Sequence, residues 1–185
     1  MAIASMSPPD RAVALRTVRV ATQAGARTRG WLTAGTIRIP VALGRSGIRA
    51  DKREGDGATP RGRFHPVRVW WRADRGLRPS TLLPVRRIGR ADAWCEDPSD
   101  RRYNRPVRLT DSHAGDRLWR ADHLYDVIVE LDHNVRPRVA RRGSGIFIHV
   151  ARPGFLPTAG CVALSAASLR RLLARIDRKT RILIH

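Results

Sequence analysis

Cys161 and His149 are the two residues of this chain whose types and spacing are best suited to chemistry. A cysteine is a nucleophile only as its thiolate, and a neighbouring histidine supplies a base that removes the thiol proton. His149 lies in an apolar run that predicts a strand, and the loop after it is long enough to return Cys161 beside the imidazole. Gly160, directly before Cys161, allows a substrate to approach the backbone closely. The alternative is a buried structural cysteine and an unrelated histidine.

The residues around Cys161 also match a signature, a Ser/Thr-x-Gly-Cys motif followed by a small hydrophobic residue. The chain thereby resembles the L,D-transpeptidase catalytic-domain family. Many members have glycine after the histidine, and other side chains beside the Gly-Cys pair, where this chain has Val150, Ala159 and Ala163. The resemblance is therefore to a branch that lacks the His-Gly and Gly-Cys-x-Arg variants. The matching residues are Thr158, Gly160, Cys161 and Val162.

Two further segments, both upstream of Cys161, resemble the same family. Residues 52–64 match its K-x-E-G-D-x-x-T-P-x-G-x-F run, which in the family builds the scaffold beneath the active site. We expect residues 44–64 to form a long ordered loop or a pair of turns, and residues 52–64 to be structural rather than catalytic. The second segment, W-x-x-D-P followed by Y-N, begins at Trp94 and includes Tyr103, and in the family it forms a flap near the substrate cleft.

The resemblance implies an enzyme that acts on peptidoglycan stem peptides or muropeptides. Cys161 would be the nucleophile and His149 the proton donor and acceptor, and a thioester to the tetrapeptide stem would form as terminal D-alanine leaves. Transfer to an amine would give a 3-3 crosslink, and transfer to water would give L,D-carboxypeptidase trimming. A backbone carbonyl near Val150 is expected to orient the imidazole. Oxyanion or substrate contacts are assigned to Gly160, Thr158, Val150, Tyr103 and His113.

The charge of the chain is strongly positive, with 36 Lys and Arg residues against 16 Asp and Glu residues and a formal net charge of +20. Such charge is compatible with nucleic-acid binding. The arginines are scattered along the sequence, however, aromatic residues make up only 5%, and no helix-turn-helix, zinc-finger or RNA-recognition motif is present. We therefore expect no specific nucleic-acid partner, whereas an acidic small molecule or peptide agrees with the charge.

Cysteine content and hydropathy indicate the cellular compartment in which the protein is expected to act. Cys95 and Cys161 are too few for a disulfide framework. The first residues lack the basic start and continuous apolar stretch of a signal peptide, and no stretch reaches the roughly eighteen apolar residues of a membrane span. The expected location is the cytoplasm, with the periplasm as the alternative if another export route operates. We further expect a monomer that needs neither cofactor nor metal.

The elements that must position the site are mostly strands. Alternating apolar residues predict strands in both halves of the chain, and leucines at helical spacing predict one helix after Cys161, capped by Ser165. The predicted fold class is mainly β, a mixed-sheet barrel or sandwich of the L,D-transpeptidase type, as one domain over residues 13–185 after a flexible lead-in over residues 1–12. The predicted strands cover residues 17–21, 36–43, 64–71, 124–131, 145–150 and 181–184, and the helix covers residues 166–176.

Two other functions are compatible with parts of the sequence. A zinc peptidase would need histidine ligands, but the spacings of the four other candidate histidines match no His-x-x-x-His or His-Glu-x-x-His pattern. A basic binding module that kept the fold and lost activity remains the non-enzymatic alternative. The four histidines are His65, His113, His123 and His133.

Overall fold

The computed structural model describes residues 14–109 and 115–185. The predicted lead-in over residues 1–12 lies outside the described residues, and so does His113. The first half of the described chain contains β1 (Thr17–Gln23), β2 (Ala26–Ala34), β3 (Ile37–Ala42), β4 (Ile48–Arg49), β5 (Thr59–Pro60), β6 (Gly62–Phe64), β7 (Pro66–Trp71), β8 (Val85–Arg87) and β9 (Asp92–Trp94). The second half contains β10 (Pro106–Arg108), β11 (Asp116–Arg117), β12 (Val127–Leu131), β13 (Phe147–Val150), a short 3-10 turn (Pro153–Phe155), β14 (Val162–Leu164), α1 (Ala166–Leu173) and β15 (Arg181–Ile184).

A curled, mixed ten-stranded sheet in the order β6-β15-β1-β2-β3-β14-β13-β12-β7-β8 forms the body of the molecule. Most neighbours are antiparallel, whereas β1 with β15, β13 with β14 and β7 with β8 run parallel. A three-stranded sheet, β10-β9-β11, and the pair β4-β5 lie beside it. The predicted fold class, mainly β with a mixed sheet and a helix after Cys161, is confirmed.

The curled sheet encloses one large apolar core. Strands whose buried and exposed residues alternate could be predicted from the sequence. In β1, Val18 and Val20 are fully buried while Arg19 between them is exposed, as period-two alternation requires. In β12 every residue is buried. Strands β7 and β13 flank it at its two edges, the main core covers one face, and a second apolar cluster, which includes Ile128, covers the other. The predicted strand over residues 64–71 is divided between two strands, since Phe64 pairs with β15 and Pro66 with β12.

Helix α1 packs its apolar side on the sheet directly after β14. Ser165 caps it as predicted, because its hydroxyl accepts a hydrogen bond of 3.2 Å from the Ser168 N–H. Leu169 and Leu173 are fully buried. The helix ends at Leu173, three residues earlier than predicted, although Ile176 beyond it is also buried in the core.

Two regions contain more structure than the sequence analysis expected. Within residues 44–64, β4 pairs with β5, and β6 joins the edge of the large sheet. Between residues 86 and 119, where no strand was predicted, strands β9, β10 and β11 form the small sheet. Trp94 of β9 is buried and meets Phe147 of β13 edge to face, with ring centroids 5.0 Å apart. The small sheet is thereby packed against the strand that carries His149.

Candidate active site

Parallel pairing of β13 with β14 brings the histidine and the cysteine to one place. His149 is opposite Ala163 in the register, and Cys161 immediately precedes β14. Residues 151–160 return along the strand to make this parallel connection. The Cys161 thiol therefore lies near the start of β13, where Sγ is 3.4 Å from the Phe147 N–H that donates to it and 3.3 Å from the Gly145 carbonyl that accepts from it.

Thr158 organises the turn that presents Cys161. Its hydroxyl donates to the Cys161 carbonyl at 2.7 Å and accepts from the Gly160 N–H at 3.1 Å. Fully buried Thr59 supports the same turn from the upstream loop, since its hydroxyl accepts from the Gly44 N–H at 2.8 Å and lies 3.4 Å from the Cys161 carbonyl. Both threonine hydroxyls are therefore directed at the Cys161 carbonyl oxygen.

Gly160 is required at its position by both conformation and space. Its φ of +148° lies in a region that residues with side chains rarely adopt. A Cβ atom there would stand 2.9 Å from the Ala58 carbonyl oxygen. The Gly-Cys pair of the motif therefore has a physical cause, namely the close approach of the nucleophile turn to the upstream loop.

The imidazole of His149 is held in one orientation. Its Nδ1 lies 2.8 Å from the Val150 carbonyl, and because a carbonyl only accepts, Nδ1 carries the proton and Nε2 is left as the base. This is the kind of backbone contact expected near Val150. The ring of Tyr125 meets the imidazole edge to face, with centroids 5.4 Å apart, and the Tyr125 hydroxyl donates to Asp116 at 2.7 Å.

Burial shifts the pKa values of His149 and Cys161 in opposite directions. Burial lowers the pKa of His149 to about 4, against the opposing hydrogen bond to Val150 and with help from the positive charges of Arg120 and Arg152. Burial raises the pKa of the Cys161 thiol to about 12, although the Phe147 N–H opposes this. Both shifts favour a thiol and a neutral imidazole over an ion pair in the empty site.

The two side chains line one cleft of about 580 Å³ whose charged residues are of both signs. Desolvation within the cleft, together with the neighbouring carboxylates of Asp116 and Glu54, raises the pKa of Glu96 to about 7, although the residue as a whole is exposed. Burial also raises the pKa of Asp116. The charged residues of the lining are Arg45, Lys52, Glu54, Glu96, Asp116, Arg120 and Arg152.

The model of the L,D-transpeptidase catalytic domain family, YkuD, matches residues 17–184. The chain belongs to this family. Solved structures similar to it are an L,D-transpeptidase from Mycobacterium smegmatis, 13% identical with a TM-score of 0.42, and Mycobacterium tuberculosis L,D-transpeptidase 1, 12% identical with a TM-score of 0.39. Each comparison covers 91% of this chain, but only 58% and 61% of those two chains, respectively. No curated protein matches the sequence.

The other residues assigned to the site by resemblance to the L,D-transpeptidase family have different positions. Thr158 and Gly160 line the cleft beside the nucleophile. Val150 contributes its carbonyl to His149, while its side chain packs against the main core. Tyr103 is buried, and its hydroxyl donates to the carboxylate of Glu54, which does line the cleft.

The sequence analysis missed several cleft residues of this L,D-transpeptidase domain. Lys52 and Glu54 belong to the segment that was expected to be only structural, yet both line the cleft. That segment is ordered as expected, and its Lys52 forms an ion pair of 2.5 Å with Asp56. Tyr125 was assigned only to a strand, and Glu96 had no distinguishing local pattern. Their positions follow from the tertiary structure alone.

Two observations concern the alternatives. Among residues 14–109 and 115–185, no three His, Cys, Asp or Glu side chains are arranged so that they could hold a metal ion. Of the candidate histidines, His65 contacts Asp132, His123 contacts Asp126 and His133 contacts a backbone carbonyl. In the same described ranges, no helix is long and apolar enough to cross a membrane.

Proposed function

We propose that this chain is a cysteine acyltransferase that cleaves the terminal D-alanine from peptidoglycan tetrapeptide stems through a thioester at Cys161. The observation that carries the proposal is the placement of His149 in β13 and of Cys161 directly before the parallel neighbour β14, with both residues lining one cleft. Membership of the L,D-transpeptidase family supports the class of substrate.

In the proposed acylation, Nε2 of His149 takes the thiol proton as Sγ of Cys161 bonds to the stem carbonyl. The carbonyl electrons move to oxygen, and the Cys161 N–H is the backbone donor that we assign to this oxyanion, because the Gly160 N–H already donates to Thr158. When the tetrahedral intermediate collapses, the C–N bond breaks and the imidazolium returns its proton to the leaving D-alanine amine. The product is a neutral thioester and a neutral imidazole.

The neutral ground state fits this sequence of proton transfers. An imidazole whose pKa is about 4 is a free base throughout the physiological range, so it accepts the thiol proton without first losing one. The cost is that thiolate formation is unfavourable in the empty site. Proton transfer is therefore coupled to attack on the bound carbonyl and does not precede binding.

The substrate is an acid, and two guanidinium groups of the cleft are suited to its carboxylates. Arg45 and Arg152 both line the cleft and are exposed, and neither forms an ion pair within the described part of the chain. Arg120 also lines the cleft, but Asp122 and Asp116 already occupy its guanidinium. We assign Arg45 and Arg152 to the stem carboxylates, since charge-assisted pairs of this kind fix orientation as well as affinity.

The second half of the reaction has two outcomes within this proposal. An amine acceptor on another stem gives a crosslink, and water gives L,D-carboxypeptidase trimming. In a cytoplasmic location, which we retain as a proposal, no polymerised wall is present and water is the acceptor. In the periplasm the same residues would crosslink.

Incubation of the protein with a disaccharide tetrapeptide, followed by mass separation of products, tests the proposal. We expect release of D-alanine and a transient adduct on Cys161, with tripeptide alone for trimming and dimers for crosslinking. Cys161→Ala should abolish both the release of D-alanine and the adduct. His149→Ala should lower turnover about a hundredfold or more. Cys95→Ala is the matched control and should retain activity. A folded protein with neither turnover nor adduct would instead indicate a binding module that lost activity.

A further inference from the structure

One outer face of the large sheet gathers arginines that are far apart in the sequence. The register places Arg63 of β6 opposite Leu183 of β15, and Leu183 opposite Arg19 of β1. Arg19 is in turn opposite Thr33 of β2, which is opposite Arg38 of β3. Because opposite residues of paired strands share a face, these side chains form one row across five strands, about 19 Å wide.

Arg181 belongs to the same face, two residues before Leu183 on β15. All four arginines are exposed, whereas the residues that alternate with them, such as Val18 and Ile182, are fully buried. The arginine face is defined here as Arg19, Arg38, Arg63 and Arg181.

The arginine face has no negative charge of its own. Strands β1, β2, β3, β6 and β15 contain neither aspartate nor glutamate. Within the part of the chain that the structure describes, none of the four arginines forms an ion pair, whereas Arg72, Arg75 and Arg102 on other surfaces each bind an aspartate. None of the four lines the cleft. Four guanidinium groups without an acidic partner on one face form a surface for a polyanion.

The shape of this face distinguishes among polyanions. Proteins that recognise the sequence of duplex DNA place a helix or a two-stranded ribbon in the major groove, and a broad sheet face does not fit into that groove. Binders of single strands offer exposed aromatic rings to the bases, but Trp31 on this face is partly buried and its ring is covered by the Arg38 guanidinium at 4.0 Å. The face is suited to contact several phosphates without reading bases.

We propose that the arginine face docks the protein on an anionic lipid bilayer. Charge complementarity carries the proposal, since a planar anionic surface attracts clustered arginines near it. The partly exposed Leu183 between Arg63 and Arg19 adds an apolar side chain at headgroup depth. This inference does not depend on the proposed function, and it holds for a membrane surface in either compartment.

Co-sedimentation with phosphatidylcholine vesicles containing about one third phosphatidylglycerol tests the proposal. We expect binding that is absent on pure phosphatidylcholine and is lost near 1 M salt, where the Debye length is about 3 Å. Each arginine contributes roughly a fivefold gain in affinity, so the triple variant Arg19→Gln, Arg38→Gln, Arg63→Gln should bind about a hundredfold more weakly. All three residues are exposed, and an unchanged thermal midpoint verifies that the variant is folded.

A matched control carries the same loss of charge elsewhere, at exposed Arg78, Arg105 and Arg117. If the control triple variant loses as much affinity as the face variant, general charge and not this face is responsible, and the proposal is overturned. Absence of binding by the unsubstituted protein overturns it as well. Binding to a single-stranded oligonucleotide that exceeds vesicle binding and is lost in the face variant would assign the face to nucleic acid instead.

Discussion

Alkylation of Cys161 as a function of pH tests whether the resting cysteine and histidine are neutral. The buried thiol has a pKa of about 12, raised from 9.0 by desolvation. At pH 7 a thiol with that pKa is about one part in 10⁵ thiolate, against about one part in 10² at a pKa of 9.0. Iodoacetamide, which reacts with the thiolate, should therefore modify Cys161 about a thousandfold more slowly than a thiol of ordinary pKa and equal access.

The assay follows the alkylated mass of a Cys95→Ala variant from pH 5 to pH 10 under pseudo-first-order conditions. We expect the rate to rise about tenfold for each pH unit without a plateau, because the thiolate fraction grows in that proportion below the pKa. His149→Gln should leave this profile nearly unchanged, since a neutral imidazole supplies no charge to the thiol. The same His149→Gln substitution should remove most turnover, because the base is lost.

Cys161→Ala, which retains Cys95, measures the background of the second thiol, whose pKa is also raised by burial. A plateau between about pH 5 and pH 8 would refute the reasoning, because it would show a preformed pair of thiolate and imidazolium. So would a marked loss of alkylation in His149→Gln, which would require His149 to be charged in the empty site.

Other predictions concern the turn that presents the nucleophile. Thr158→Val removes the hydrogen bonds to Cys161 and Gly160, so kcat should fall about tenfold or more with KM little changed. Thr158→Ser, which keeps the hydroxyl, should retain most activity. A rise in KM with kcat unchanged would contradict the positioning role of Thr158. Gly160→Ala should lower the free energy of unfolding by about 1–3 kcal/mol more than Gly55→Ala in chemical denaturation. Both glycines have positive φ, but only at Gly160 would a Cβ press on a backbone oxygen, so equal losses would exclude the contact with Ala58 as the cause.

Local patterns predicted some strands well and missed others for identifiable reasons. In β1 and β3 the inward residues are large and aliphatic, so their alternation is visible in the sequence. In β2 the inward residues include Gly30 and Ala34, which are too small to make the pattern stand out. β9 is only three residues long and wholly buried, so it shows no alternation at all.

The candidate site divides in the same way. Cys161, Gly160 and Thr158 are neighbours in the chain, and their hydrogen bonds are local, so the motif could be interpreted without a structure. Asp116 lies in β11 and Glu96 follows β9, so they meet because these two strands pair. Both line the cleft, and the small sheet packs on β13 through Trp94. Lys52 and Glu54 were visible in the family signature, but their place in the cleft was not.

By itself the sequence determined the family and the β-rich class and predicted Cys161 and His149 as the candidate reactive pair, because those properties depend on side-chain type, periodicity and short spacing. Tertiary structure decided the protonation of the pair, since burial moves both pKa values and burial is a property of the whole fold. Tertiary structure also decided which of the charged residues lie side by side. Four arginines that are far apart in the sequence share one face because sheet register joins β6, β15, β1, β2 and β3, and no local pattern records that pairing.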